Sequence, residues 1–285
     1  MVDRMKMPLR LCALLLLLAL LIPLTSCANT VDTDTVAVTI LPLAGFVRAV
    51  AGGDLDVLTL VPAGASPETY APTTRVMMKL SDAAVWFSVG VPTEETSVRP
   101  SLPTGVTEVA LAERVASTYP DLTVAGGRDP HIWLSPRRAK LMVNEIAEVL
   151  SALYPDKASV YRQNAAAYCA EIDAADAEIR AVIAASGTTA FIVYHPAFAY
   201  LADEYGLTMY ALEDEGREAT AADLAAMVEL ARSKNIRAVF YQAESDGRQA
   251  EVFAREIGGT AVMLSPLAEN YVENLLAMAT AIAAQ

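Results

Sequence analysis

Cysteine and histidine are both scarce in this chain. Three cysteines and two histidines occur in 285 residues, and only Cys169 stands in the body of the chain, well away from Cys12 and Cys27. One cysteine cannot close an intramolecular disulfide, so the fold must be held by its core. Cys169 falls in the helix-compatible stretch 161–185 and reads as a buried small hydrophobe. Positive charge is also in short supply, with 21 Lys and Arg against 34 Asp and Glu. A surface of that sign repels nucleic acid and anionic headgroups, which excludes nucleic-acid binding as the function. No H-E-x-x-H, G-x-S-x-G or glycine-rich phosphate loop occurs, so no motif marks an enzyme. A Gly/Ser linker, a repeat at solenoid spacing and a histidine-rich tract are absent as well.

A membrane-spanning run is missing too. The apolar run 11–22 holds 12 residues, whereas a bilayer takes about 20. Arg4, Lys6 and Arg10 precede it and Pro23 follows, the pattern of an export signal. Leu24-Thr25-Ser26-Cys27 resembles a bacterial lipobox, in which small residues precede a cysteine that becomes lipidated. The expectation is a signal over 1–26 and a mature chain anchored outside the cytoplasm through Cys27, held to the membrane rather than spanning it. The signal carries three basic residues and one acidic residue, so the mature chain keeps 18 and 33, a net charge of −15. The signal also inflates the 54% hydrophobic content. The remaining 259 residues suffice for one large domain or two ordinary ones.

Periodicity divides the mature chain into two series. Short β-branched runs at 36–40, 57–61, 84–89 and 106–110 predict strands, with helices around 44–51 and 74–80. A second series predicts strands at 189–194, 207–212, 238–241 and 261–264, with helices at 197–205, 221–233, 248–257 and 269–284. Such alternation argues for parallel sheets covered by helices, hence two α/β lobes. Between them, 136 to about 185 is almost wholly helix-compatible and is broken near Tyr154-Pro155-Asp156. Proline there should open a second helix of about thirty residues, some 45 Å long, which acts as a rigid connector.

The two histidines carry the chemistry. A lone histidine is more often structural than a ligand, but His131 and His195 each fall where a strand or loop meets a helix, one in each series. Ligands in α/β folds gather at such strand ends. One histidine per lobe at a shared cleft is the arrangement of a metal site. Asp129 is placed to hold an imidazole from behind, as metal-bound histidines require, and Trp133 reads as packing.

At this point the chain resembles the zinc/manganese solute-binding lipoproteins of metal ABC transporters, the ZnuA/TroA type. The resemblance covers essentially the whole mature chain. Its pieces are Ala51-Gly52-Gly53 with Leu60-Val61-Pro62; Gly64-Ala65-Ser66-Pro67-Glu68-Thr69-Tyr70-Ala71-Pro72; Asp129-Pro130-His131-Ile132-Trp133-Leu134; Tyr194-His195-Pro196-Ala197-Phe198-Ala199-Tyr200 with Tyr205-Gly206-Leu207; Val239-Phe240-Tyr241-Gln242; and Leu264-Ser265-Pro266-Leu267 with Tyr271 downstream. Each is weak alone, and their order and separations make them specific together.

The resemblance implies two Rossmann-like lobes joined by a long rigid helix, with one metal held in the cleft by four loops. The corresponding division is an amino-terminal lobe over 27–155, a connecting helix over 156–186 and a carboxy-terminal lobe over 187–285. His131 and His195 match the second and third ligand positions. A histidine at the third is similar to the zinc-favouring branch, with Mn2+ or Fe2+ as the alternatives, since imidazole suits zinc and oxygen suits manganese. The first position, ordinarily histidine, is Glu68, and the fourth, ordinarily aspartate, is Ser265. Serine is a poor zinc ligand, so water can fill that position. Gln242 stands where the family commonly shows glutamate, with Glu244 and Asp246 nearby.

The implied role is capture of a divalent metal by a monomer for a cognate permease and its ATPase. Two alternatives stay open. One is a relative with lost or altered metal binding, or with an adhesin-like role. The other is an enzyme built on two histidines, a carboxylate and a water.

Overall fold

Buried runs of Val, Ile, Phe and Ala set the strands of this protein. In the computed structural model, residues 34–124, 127–214, 217–218 and 220–285 are described. The expected signal 1–26 and Cys27 lie outside these residues. Eight of the described strands form two four-stranded sheets. The first contains β1 (Thr35–Val38), β2 (Asp56–Thr59), β3 (Val85–Ser88) and β4 (Glu108–Ala110), in the order β2-β1-β3-β4. The second contains β5 (Ala190–Val193), β6 (Thr208–Ala211), β7 (Ala238–Gln242) and β8 (Thr260–Leu264), in the order β6-β5-β7-β8. Every pairing within them is parallel, and the two sheets share one topology. β3 and β5 are buried along their whole length. Strands covered on both faces read as continuous apolar runs rather than alternating ones.

The helices follow from local chemistry. Pro42 and Pro136 sit in the first turns of α1 (Leu41–Ala51) and α4 (Pro136–Leu153), where proline's missing N–H costs nothing. Thr73 caps α2 (Thr74–Leu80) through its side chain. The short α3 (Leu111–Ala116) directly follows β4. After α4, Pro155–Lys157 forms a 3-10 turn, so the long helix α5 (Ala158–Ser186) begins two residues later than Asp156. Its 29 residues span about 43 Å, and Gly187 ends it in the left-handed region at φ 72°. The remaining helices are α6 (Ala199–Tyr205), α7 (Ala221–Ser233), α8 (Arg248–Glu256) and α9 (Tyr271–Ala283). None of the described helices is long and apolar enough to cross a membrane.

α5 packs along α4, α9 and α1, and buried residues of both sheets run together into one core around it. Cys169, on α5, is half-buried rather than fully buried and packs against that core, where burial raises its thiol pKa. Polar contacts join early and late parts of the chain. Trp133 Nε1 donates to the Pro266 carbonyl at 2.8 Å, Tyr200 Oη accepts from Leu122 N at 2.9 Å, and Ser135 Oγ donates to Glu204 Oε2 at 2.6 Å. Gly45 on α1 faces the Glu269 carbonyl so closely that a Cβ there would stand 2.3 Å from its oxygen.

Candidate metal centre

The carboxyl ends of the strands of a parallel sheet are where such folds bind ligands. His195 lies two residues past β5, Gln242 ends β7, and Ser265 follows β8 directly. Glu68 lies in the loop between β2 and α2, and His131 opens the 3-10 turn Ile132–Leu134 that leads into α4. The fold therefore brings Glu68, His131 and His195 together from three separate loops. Each offers a ligand atom, and the three atoms all lie within 4.8 Å of one another.

His131 is held from behind. Asp129 Oδ1 accepts both from the His131 backbone N at 2.9 Å and from His131 Nδ1 at 2.7 Å, and both residues are buried. A carboxylate on Nδ1 fixes the proton there and leaves Nε2 with its lone pair free for a metal. That Nε2 stands 3.9 Å from Glu68 Oε1. The rings of His131 and His195 meet edge to face with centroids 5.8 Å apart. Ligand atoms bound to one tetrahedral zinc stand about 3.4 Å apart, so the Glu68–His131 pair needs to close by only a few tenths of an ångström.

His195 has its own carboxylate, which the sequence reading missed. Glu213 Oε2 lies 3.4 Å from His195 Nδ1, a long contact beside the one at His131. The signal for it lies in the strand register. β5 and β6 pair with Val193 opposite Ala211, and two more residues along each strand bring His195 opposite Glu213.

Glu68 and His131 line a cavity of about 10 Å³ together with Trp133, Gln242, Glu244, Pro266 and Leu267. That volume admits about one water-sized sphere. It suits an ion stripped of its hydration shell and is far too small for an organic substrate. Neither His195 nor Ser265 is on this lining, although Pro266 and Leu267 beside Ser265 are. The Ser265 carbonyl accepts from Asn274 Nδ2 at 2.7 Å. Asp246 turns away from the cavity and pairs with Arg248. Glu244 does face it, and burial raises its pKa. A larger cleft of about 800 Å³ lies between α7 and α8, lined mainly by apolar side chains and without histidine or cysteine.

Comparison with known proteins identifies the family. The family model described as ZnuA, zinc-uptake complex component A, periplasmic, matches residues 36–285. The chain belongs to the ZnuA family. It is therefore the extracytoplasmic solute-binding component of a metal-uptake system of the ABC type. A crystal structure of ZnuA superposes with a TM-score of 0.82 at 30% identity, covering 89% of this chain and 99% of that one. A putative metal-binding protein of Chlamydia muridarum is 28% identical over 256 residues, covering 87% of this chain and 90% of its own length. The zinc-binding lipoprotein AdcA of Streptococcus pneumoniae is 30% identical over 266 residues, 86% of this chain, but the match spans only 52% of AdcA. The chain thus covers about half the length of its streptococcal relatives.

In this chain a carboxylate stands behind each histidine, and Glu68 contributes an acid to the cavity wall.

Proposed function

We propose that this ZnuA-family chain captures one zinc ion through Glu68, His131 and His195 and hands it to a cognate permease driven by its ATPase. The observation that carries the reading is the triangle of three donor atoms within 4.8 Å of one another, with Asp129 and Glu213 behind the imidazoles. Two neutral imidazoles and one carboxylate form a set that zinc accepts, and the remaining position stays open to water or a further donor. Ser265 is a weak candidate for it. Mn2+ and Fe2+ are the competing cargoes, and each should bind more weakly than zinc to a site with two imidazoles.

The wider reading rests on the same site and on the sequence. The two sheets belong to lobes at 27–155 and 187–285, with 156–186 as the connecting helix. The chain acts as a monomer anchored to the cell membrane through a lipid on Cys27. A binding role is favoured over catalysis, since no H-E-x-x-H, G-x-S-x-G or glycine-rich phosphate loop accompanies these residues.

Glu68→Ala tests the assignment. It removes a bond and the negative charge within the triangle, so zinc affinity should fall at least 10–100-fold, the range seen even for groups behind a ligand. His131→Ala and His195→Ala should each be more severe. Titration calorimetry reads all three. Unchanged affinity in Glu68→Ala would leave Glu68 a solvated loop residue and remove it from the site.

A further inference from the structure

Glu244 lies two residues past the end of β7, on the loop that leads into α8. Its side chain lines the same small cavity as Glu68 and His131. Glu244 Oε2 is buried and has no hydrogen-bond partner among the described residues. A buried carboxylate oxygen without a donor is costly unless a cation completes it. Asp129 Oδ2 is also without a partner, but the other oxygen of that carboxylate is already committed to His131. The Glu244 carboxylate meets only its own backbone N–H, and no other described residue accounts for its position.

We infer that Glu244 is the fourth donor of the metal site, swinging onto the ion as it enters and closing the coordination that Glu68, His131 and His195 leave open. The inference rests on the reading of those three as ligands. Its carboxylate stands outside the triangle of atoms within 4.8 Å, so it must move, and the three side-chain torsions of a glutamate on a loop allow that. Gln242 shares the cavity wall, but its amide is neutral and is a poorer partner for zinc than a carboxylate. Ser265 carries no charge, and its carbonyl already accepts from Asn274 Nδ2.

Charge supports the assignment. Both imidazoles are neutral in the ligand state, so among the donors themselves Glu68 alone offers one negative charge to a dication and Glu68 with Glu244 offers two, while Asp129 and Glu213 act only through the rings. Two imidazoles with two carboxylates also form a harder set than three imidazoles with one. Such a set tolerates Mn2+ better relative to zinc.

The test compares the wild-type chain with Glu244→Gln, Glu244→Ala and His131→Ala, using zinc and manganese titration, the thermal midpoint with and without zinc, and the visible spectrum of the cobalt(II)-loaded protein. Glu244→Gln keeps the shape and removes the charge. Zinc affinity should fall at least tenfold and manganese affinity further. The metal-free midpoint should rise as the orphaned charge disappears, while the zinc-induced increase shrinks. The intense absorption of four-coordinate cobalt should weaken. Zinc and manganese affinities at wild-type values in both Glu244 variants, with His131→Ala still crippled and the cobalt spectrum intact, would overturn this inference and spare the three-residue site. A wild-type chain that binds neither metal would overturn both.

Discussion

Asp129 Oδ1 accepts from two groups of His131, its backbone N–H and its ring Nδ1. The first fixes the loop and the second fixes the tautomer. Asp129→Asn tests the charge, because an amide oxygen at the Oδ1 position can keep both bonds but no longer raises the basicity of Nε2 through the ring. Zinc affinity should fall about 10–100-fold with little loss of stability, as read by titration calorimetry beside thermal melting. Equal affinity in Asp129→Asn would mean that the carboxylate charge does not act through the imidazole. Protons should also compete with zinc in the wild-type chain, since imidazolium cannot ligate. At this scale the sequence was informative about identity and poor about neighbours. His131 with Asp129, and Glu68 in its loop, are contiguous motifs that can be read in one dimension. Glu213 became visible only through the pairing of β5 with β6, and Glu244 only through the burial of its oxygen.

Among the elements, the late loops are pinned to the early ones by a few specific contacts. Trp133, read from the sequence as packing, does pack, and it also binds the Pro266 carbonyl and so ties the His131 turn to the loop after β8. On α1, Gly45 allows the Glu269 backbone to approach to a distance that any side chain would block. Gly45→Ala should therefore force α1 and that segment apart and cost about 1–3 kcal/mol, roughly a 2–10 °C fall in midpoint for a chain of this size. A midpoint unchanged by Gly45→Ala would show that the contact relaxes freely. The strand–helix alternation and the helical connector were legible because apolar period and proline position are local signals. Less visible were the five-residue π turn Glu94–Val98 and the 3-10 turn Pro155–Lys157. The π turn follows from the buried Glu94 carboxylate gathering the N–H groups of Val89 and Gly90, a tertiary demand that no periodicity announces.

For the whole molecule, two parallel sheets of one topology share a core around α5, and a small cavity lies at their strand ends. A net charge of −13 over the full chain favours the approach of cations over that of anionic surfaces, which fits the proposed attachment through a lipid on Cys27 rather than through charge. Cys27→Ala should move the protein from the membrane fraction to the soluble extracytoplasmic fraction. Retention in the membrane fraction would remove the lipid anchor from the account.

The central claim is that one ion seats between Glu68, His131 and His195. The most direct measurement is a zinc titration of the mature chain, followed by its thermal midpoint. The account predicts one zinc per chain. At a hundred times the dissociation constant, bound zinc should add about 2.7 kcal/mol, a rise of roughly 5–10 °C, and His131→Ala should abolish it. A wild-type chain whose midpoint does not respond to zinc would contradict the claim.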